Sequence, residues 1–324
     1  MSAEGGTKAV VAALGANLGI AATKFVAFGL TGSSSMLAES IHSVADSGNQ
    51  ILLLVGGRRA RRGATAEHPF GHSGERYIYA FIVSVVLVVV GGMFALYESY
   101  HKISHPEAIT EWRWVPILVL VVAIGLESFS FRTAIQETAK VKGSATWVGF
   151  IRGSRIPELP VILLEDLAAL IGLAFALIGI GLTLITGNGI WDGVGTGAIG
   201  LLLVVVAAVL AVETKSLLLG EAPTDDQLAE IDAAVLAGAE VERIIHRRAV
   251  HLGPDVLLVA VKVGVRRETT AETIAAGIDA IEARIRERVP TATYIYIEPD
   301  IYHATTTIPP APRAGGATAQ SKLS

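Results

Sequence analysis

Six long apolar stretches constrain this chain more than anything else in it: residues 8–30, 33–56, 78–100, 114–136, 158–186 and 190–212. A helix crossing a bilayer needs about 20 mostly apolar residues, because lipid offers no partner to an unpaired backbone amide. Each stretch reaches that length, so an all-α bundle of six membrane-spanning helices is expected. Charge is scarce. Only 17% of the 324 residues are Asp, Glu, Lys or Arg, against about 25% in soluble domains. The formal net charge of −4 offers no footing for nucleic acid, and the absence of cysteine rules out disulfides and thiolate metal sites.

The loops suggest an orientation. Arg58, Arg59, Arg61, Arg62 and Arg76 follow the second stretch, and Arg132, Lys140, Lys142, Arg152 and Arg155 follow the fourth. The opposite side holds only Lys102 and Arg113. Basic loops stay on the cytoplasmic side, which places both termini there, in a cell (inner or plasma) membrane. The start, MSAEGGTK, lacks the basic region of a cleavable signal.

Past residue 213 charged residues become dense and the apolar periods shorten. In TDDQLAEIDAAVL, Thr224 and Gln227 have capping-box spacing ahead of an amphipathic helix. Strand-like runs follow at about 241–251 and 256–265, then an amphipathic helix over 269–289 and the strand ATYIYIE. The order αββαβ predicts a small α+β open-faced sandwich. The expected domains are therefore 1–213 in the membrane, 214–303 as the sandwich, and 304–324 as a tail whose composition reads as disordered.

Inside the second stretch, SMLAESIHSVADSGNQ places Glu39, His42, Asp46 and Gln50 within about 80° of one another around a helix. Ionisable groups at membrane depth cost about 2.5–3.5 kcal/mol each and normally face the bundle interior. The fifth stretch carries Glu165 and Asp166 in ELPVILLEDLAALIG. At 1.5 Å per residue, Asp46 lies about 15 Å from the basic end of its helix and Asp166 about 14 Å from Pro157 on the same side. One imidazole and several carboxylates at matched depth suit a divalent cation, Zn²⁺ first, with Mn²⁺ and Fe²⁺ as alternatives. The competing reading is that these groups make interhelical hydrogen bonds or ion pairs, with Lys24 or Asn17 of the first stretch as a partner for one carboxylate.

Six stretches, LAESIHSVADSGNQ, HPFGHSGERY, ETKSLLLGE and the αββαβ tail together resemble the cation diffusion facilitator family over residues 7 to about 303. The resemblance implies a homodimeric antiporter that exports a divalent metal ion from the cytoplasm in exchange for protons, with no permanent cofactor. It implies His42, Asp46 and Asp166 as metal ligands, with His42 the main proton carrier. The family's fourth ligand falls on Ile162, which cannot bind metal; Glu165 is the natural substitute and Glu39 the next. His68 and His72 match a loop metal site whose acidic partner would fall at Thr65, with Glu67 nearby. In the soluble domain only Glu298 matches an acidic ligand position, and His246, His251 and His303 are expected to be solvated surface residues. No nucleophile–base set or phosphate loop is present, so an enzyme is not expected. The alternative function is a transport-degenerate membrane scaffold or a metal-responsive regulatory subunit.

Overall fold

The computed structural model describes residues 3–302, with side chains from residue 17 onward. The expected tail at 304–324 and His303 lie outside these residues. The chain divides into two compact units. One runs through Glu221 and takes in the His251–Asp255 turn, and the other comprises Ala222–Val250 and the residues from Val256 on.

The first unit is helical: α1 (Ala3–Thr31), α2 (Ser34–Arg59), α3 (Glu75–Val86), a π-helical segment (Leu87–Met93), α4 (Phe94–Ser104), α5 (Val115–Lys142), α6 (Trp147–Gly153), α7 (Glu158–Thr186) and α8 (Ile190–Leu219). Among the described residues, four helical stretches are long and apolar enough to cross a membrane: Glu75–Ser104, Val115–Lys142, Glu158–Thr186 and Ile190–Leu219. Helices α1 and α2 have comparable length. One face of α2 is given over to serines and ionisable groups, which lowers its hydropathy below that of a plain span. The short helix α6 was not anticipated. It starts where the Thr146 hydroxyl accepts from the Gly149 amide at 3.0 Å.

Met36, Leu87, Leu120, Leu173, Ile199 and Leu203 lie in one buried apolar cluster that runs through the bundle. Along α8, Gly193, Gly197 and Gly200 lie against Ile103, Ser99 and Leu96 of α4 so closely that a Cβ would stand 2.9, 2.7 and 2.9 Å from those side chains. Small residues allow this approach where lipid supplies no hydrophobic drive between helices. The turn between α1 and α2 is bound from both sides. Lys102 Nζ donates to the Gly32 carbonyl at 3.1 Å. The buried Asp192 carboxylate accepts from the Ser34 and Ser35 amides (2.8 and 3.2 Å) and from Ser33 Oγ (3.0 Å). A carboxylate borrowed from α8 thus satisfies the free amides that begin α2 and complements its dipole.

The second unit has the expected order: α9 (Asp225–Leu236), β1 (Arg243–Gly253), β2 (Val256–Gly264), α10 (Ala271–Arg288) and β3 (Ala292–Asp300). The sheet order is β1-β2-β3, with β2 parallel to β3 in the register Leu258↔Tyr294 and Lys262↔Glu298. Leu257, Val259, Val261 and Val263 alternate along β2 into a core shared with Ile231, Val235, Ile281 and Ile285 of the helices. Thr224 and Gln227 form the capping box at the start of α9.

Candidate functional site

In the polar lane of α2, Glu39 and His42 are buried and Asp46 and Gln50 half-buried. Lys24 of α1 and Glu39, each almost wholly inaccessible, form an ion pair at 3.0 Å, and the same ammonium donates to Ser43 Oγ at 2.8 Å. The Glu39 carboxylate fits only because α7 presents bare backbone at Gly172, where an added Cβ would stand 2.8 Å from Glu39 Oε1. One turn on, His42 is 1% exposed. Its Nδ1 stands 3.4 Å from Asp46 Oδ1, without the alignment of a hydrogen bond. Among the described residues neither ring nitrogen of His42 has a hydrogen-bond partner, nor do Asp46 Oδ1, Asn49 Oδ1 and Gln50 Oε1. Buried polar atoms are nearly always paired. A run of unpaired donors and acceptors on one helix face therefore marks a place built for something other than helix packing.

Helices α2 and α7 meet through Asn49, whose Nδ2 donates to the buried Glu165 carboxylate at 2.6 Å. Asp166 accepts from Ser130 Oγ of α5 at 2.9 Å, and both α7 acids lie within electrostatic range of Asp46. Ile162 packs against the apolar core. Glu127, one turn before Ser130, is also buried, at 7% exposure. Sequence reasoning passed over Asn49, Ser130 and Glu127. The available signal was that Glu127 is the one acid in the apolar stretch VPILVLVVAIGLESFSF. As placed, no three His, Asp or Glu side chains among the described residues converge closely enough to hold a metal ion.

Residues 10–219 match the family described as the cation efflux transmembrane domain. The chain belongs to the cation efflux, or cation diffusion facilitator, family. Among its relatives, the mitochondrial proton-coupled zinc antiporter SLC30A9 of Mus musculus is 34% identical over 233 residues, 71% of this chain and 41% of that protein. Metal tolerance protein C4 of Arabidopsis thaliana is 29% identical over 251 residues, 76% of this chain and 54% of that protein. This cation efflux chain therefore spans about two fifths to one half of the length of these relatives. A solved C-terminal domain of MamM covers 24% of this chain and 94% of its own length at 22% identity, with a TM-score of 0.23.

Outside the bundle the expected metal positions fare differently. The His68 and His72 rings stack with centroids 4.6 Å apart, and His72 Nδ1 lies 3.2 Å from the Gly63 carbonyl. Thr65, at the expected acidic position, instead closes a turn: its Oγ1 accepts from the His68 amide and its own amide donates to the His68 carbonyl, both at 3.1 Å. Glu298 lies 2.9 Å from Lys262 Nζ, an ammonium that also reaches Asp300 at 2.9 Å. His251 departs from expectation. Rather than a solvated surface residue it is buried, its amide donating to the Glu221 carbonyl at 2.9 Å and its Nδ1 3.3 Å from the Gly253 carbonyl. Burial holds its imidazole below the usual histidine range. His246 is half-buried, with Nδ1 unpaired among the described residues.

Proposed function

We propose that this cation efflux protein is a secondary transporter that moves a divalent metal ion out of the cytoplasm in exchange for protons, with Zn²⁺ the favoured substrate and Mn²⁺ or Fe²⁺ the alternatives. The observation that carries the proposal is the buried His42 ring, both nitrogens unpaired among the described residues, set one turn from Asp46 at membrane depth. An imidazole with carboxylate oxygens is a donor set for a borderline cation. Its ligands must be deprotonated to bind, so metal and protons compete for one site. His42 carries the proton because histidine titrates nearest to physiological pH. Asp46 and Asp166 anchor the ion, and Glu165, adjacent to Asp166 on α7, is the natural substitute for the donor that Ile162 lacks. Glu39 is less available, since Lys24 engages it. Because these groups do not yet converge, binding has to draw α2 and α7 inward around the ion. The basic loops support a cell-membrane orientation with cytoplasmic termini, and the αββαβ unit is assigned to homodimer formation.

Purified protein in liposomes containing a pH-sensitive dye tests this. An inward Zn²⁺ gradient should drive proton efflux, and His42→Ala and Asp166→Ala should each abolish it. Flux that survives either substitution overturns the mechanism. A wild-type protein that binds and moves none of Zn²⁺, Mn²⁺ or Fe²⁺ would instead favour the scaffold function.

A further inference from the structure

We propose that Glu127 of α5 is a ligand of the transported cation and fills the position that Ile162 leaves without a donor. The inference rests on the transport reading above and names a residue of that same site. Zinc and its neighbours take about four protein ligands when no solvent completes the shell. His42, Asp46 and Asp166 supply three. Glu39 Oε1 has no hydrogen-bond partner among the described residues but faces the backbone of Gly172. The two carboxylates nearest in sequence are each already engaged by a side-chain donor, Glu165 by Asn49 at 2.6 Å and Glu39 through Oε2 by Lys24 at 3.0 Å. Glu127 is not: among the described residues nothing hydrogen-bonds it, although it is 7% exposed.

Its direction is set by its neighbour. Residues three apart share a helix face, and Ser130 on that face reaches across to Asp166 at 2.9 Å. Glu127 consequently lies on the side of α5 that faces α7, and α5 also packs on α1, which carries Lys24. It is within electrostatic range of Lys24, Asp46, Asp166 and His42. The charge balance agrees. Glu127 and Glu165, buried, and Asp46 and Asp166, half-buried, share one neighbourhood in which the one ammonium among the described residues, Lys24, is spent on Glu39 and Ser43. Buried carboxylates in that excess are costly unless protons or a cation offset them. The buried His42 ring, unpaired among the described residues, marks where the cation sits. Glutamate also has one more methylene than aspartate, the reach needed from a third helix.

The test measures Zn²⁺ binding directly, on the purified full chain in detergent, by competition with a chelating dye. Glu127→Gln, which keeps the shape and removes the charge, should weaken Zn²⁺ binding at least tenfold while leaving the metal-free melting temperature within a few degrees of wild type. Glu127→Asp should keep part of the affinity, and adding Ile162→His to Glu127→Gln should restore part of it, with X-ray absorption reporting one more nitrogen neighbour. If Glu127→Gln binds Zn²⁺ as wild type does, or lowers only the melting temperature, Glu127 is a packing residue and the inference is overturned. Loss of binding in His42→Ala and Asp166→Asn beside an unaffected Glu127→Gln would sink this inference alone. A wild-type chain that binds no Zn²⁺ would sink the transport reading with it.

Discussion

The buried Lys24–Glu39 pair holds both of its side chains in place. Removing one partner of a buried ion pair leaves an uncompensated charge and costs about 3–5 kcal/mol, whereas replacing both with apolar groups costs far less. Lys24→Met should therefore lower the melting temperature sharply, and Lys24→Met with Glu39→Leu should recover most of it, as read by tryptophan fluorescence in detergent. Gly172→Ala should also destabilise, since the new methyl meets Glu39 Oε1 at 2.8 Å and that carboxylate is held by Lys24. A melting curve unchanged by Gly172→Ala would mean that Glu39 can swing aside. Lys24 was legible as a partner for some carboxylate, but the choice among them was not. Glu39 and Asp46 lie on one face, and what selects Glu39 is the bare backbone of Gly172, 133 positions further along the chain. The polar lane itself was readable because it depends only on helical period. Glu127 was not, because its role depends on which helix lies opposite.

At the level of elements, caps separate what is local from what is not. The capping box of α9 could be read from Thr224 and Gln227, since both partners lie within one turn. Thr224→Ala should cost about 1 kcal/mol, seen as an earlier loss of helical signal in urea. The start of α2 is capped instead by Asp192, more than 150 residues away, where the sequence NGIWDGVG suggests only an ordinary acid in the first turn of α8. Asp192→Ala should remove three hydrogen bonds to α2 and cost about 1–3 kcal/mol for the amides left unpaired. Asp192→Asn, which keeps acceptor capacity, should cost less. Melting temperatures equal to that of wild type in both variants would show that the charge and its acceptors are irrelevant to α2. The π-helical segment was also beyond the sequence, which showed only apolar continuity. Its Gly92 lies so close to α8 that a Cβ would stand 2.7 Å from Val204, and one extra residue in the turn accommodates that approach.

For the whole molecule, His251 links stability to pH. Unfolded, its imidazole takes up a proton near pH 6.5; folded, burial delays that to a lower pH. The unfolded chain therefore binds more protons below about pH 6.5, so the stability this group contributes is complete above that pH and is lost as pH falls through the lowered folded value. The wild-type melting temperature should fall between pH 7.5 and 5.5 more steeply than that of His251→Gln, and equal slopes would refute the linkage. The Asp192 cap has a consequence of a different kind, a mechanical one. It makes the Ser34 end of α2 a fulcrum and the Arg59 end, which lies against α3 through Arg59–Glu75 (3.9 Å) and the close approach of Gly56 to Tyr79, the far end of a lever. At 1.5 Å per residue, His42 lies about 12 Å from the fulcrum, Asp46 about 18 Å and Arg59 about 37 Å. A swing of about 10° would carry those points about 2, 3 and 6 Å. A small rotation at the hinge, with α3 carried along, would thus displace the arginine end widely while barely shifting the imidazole.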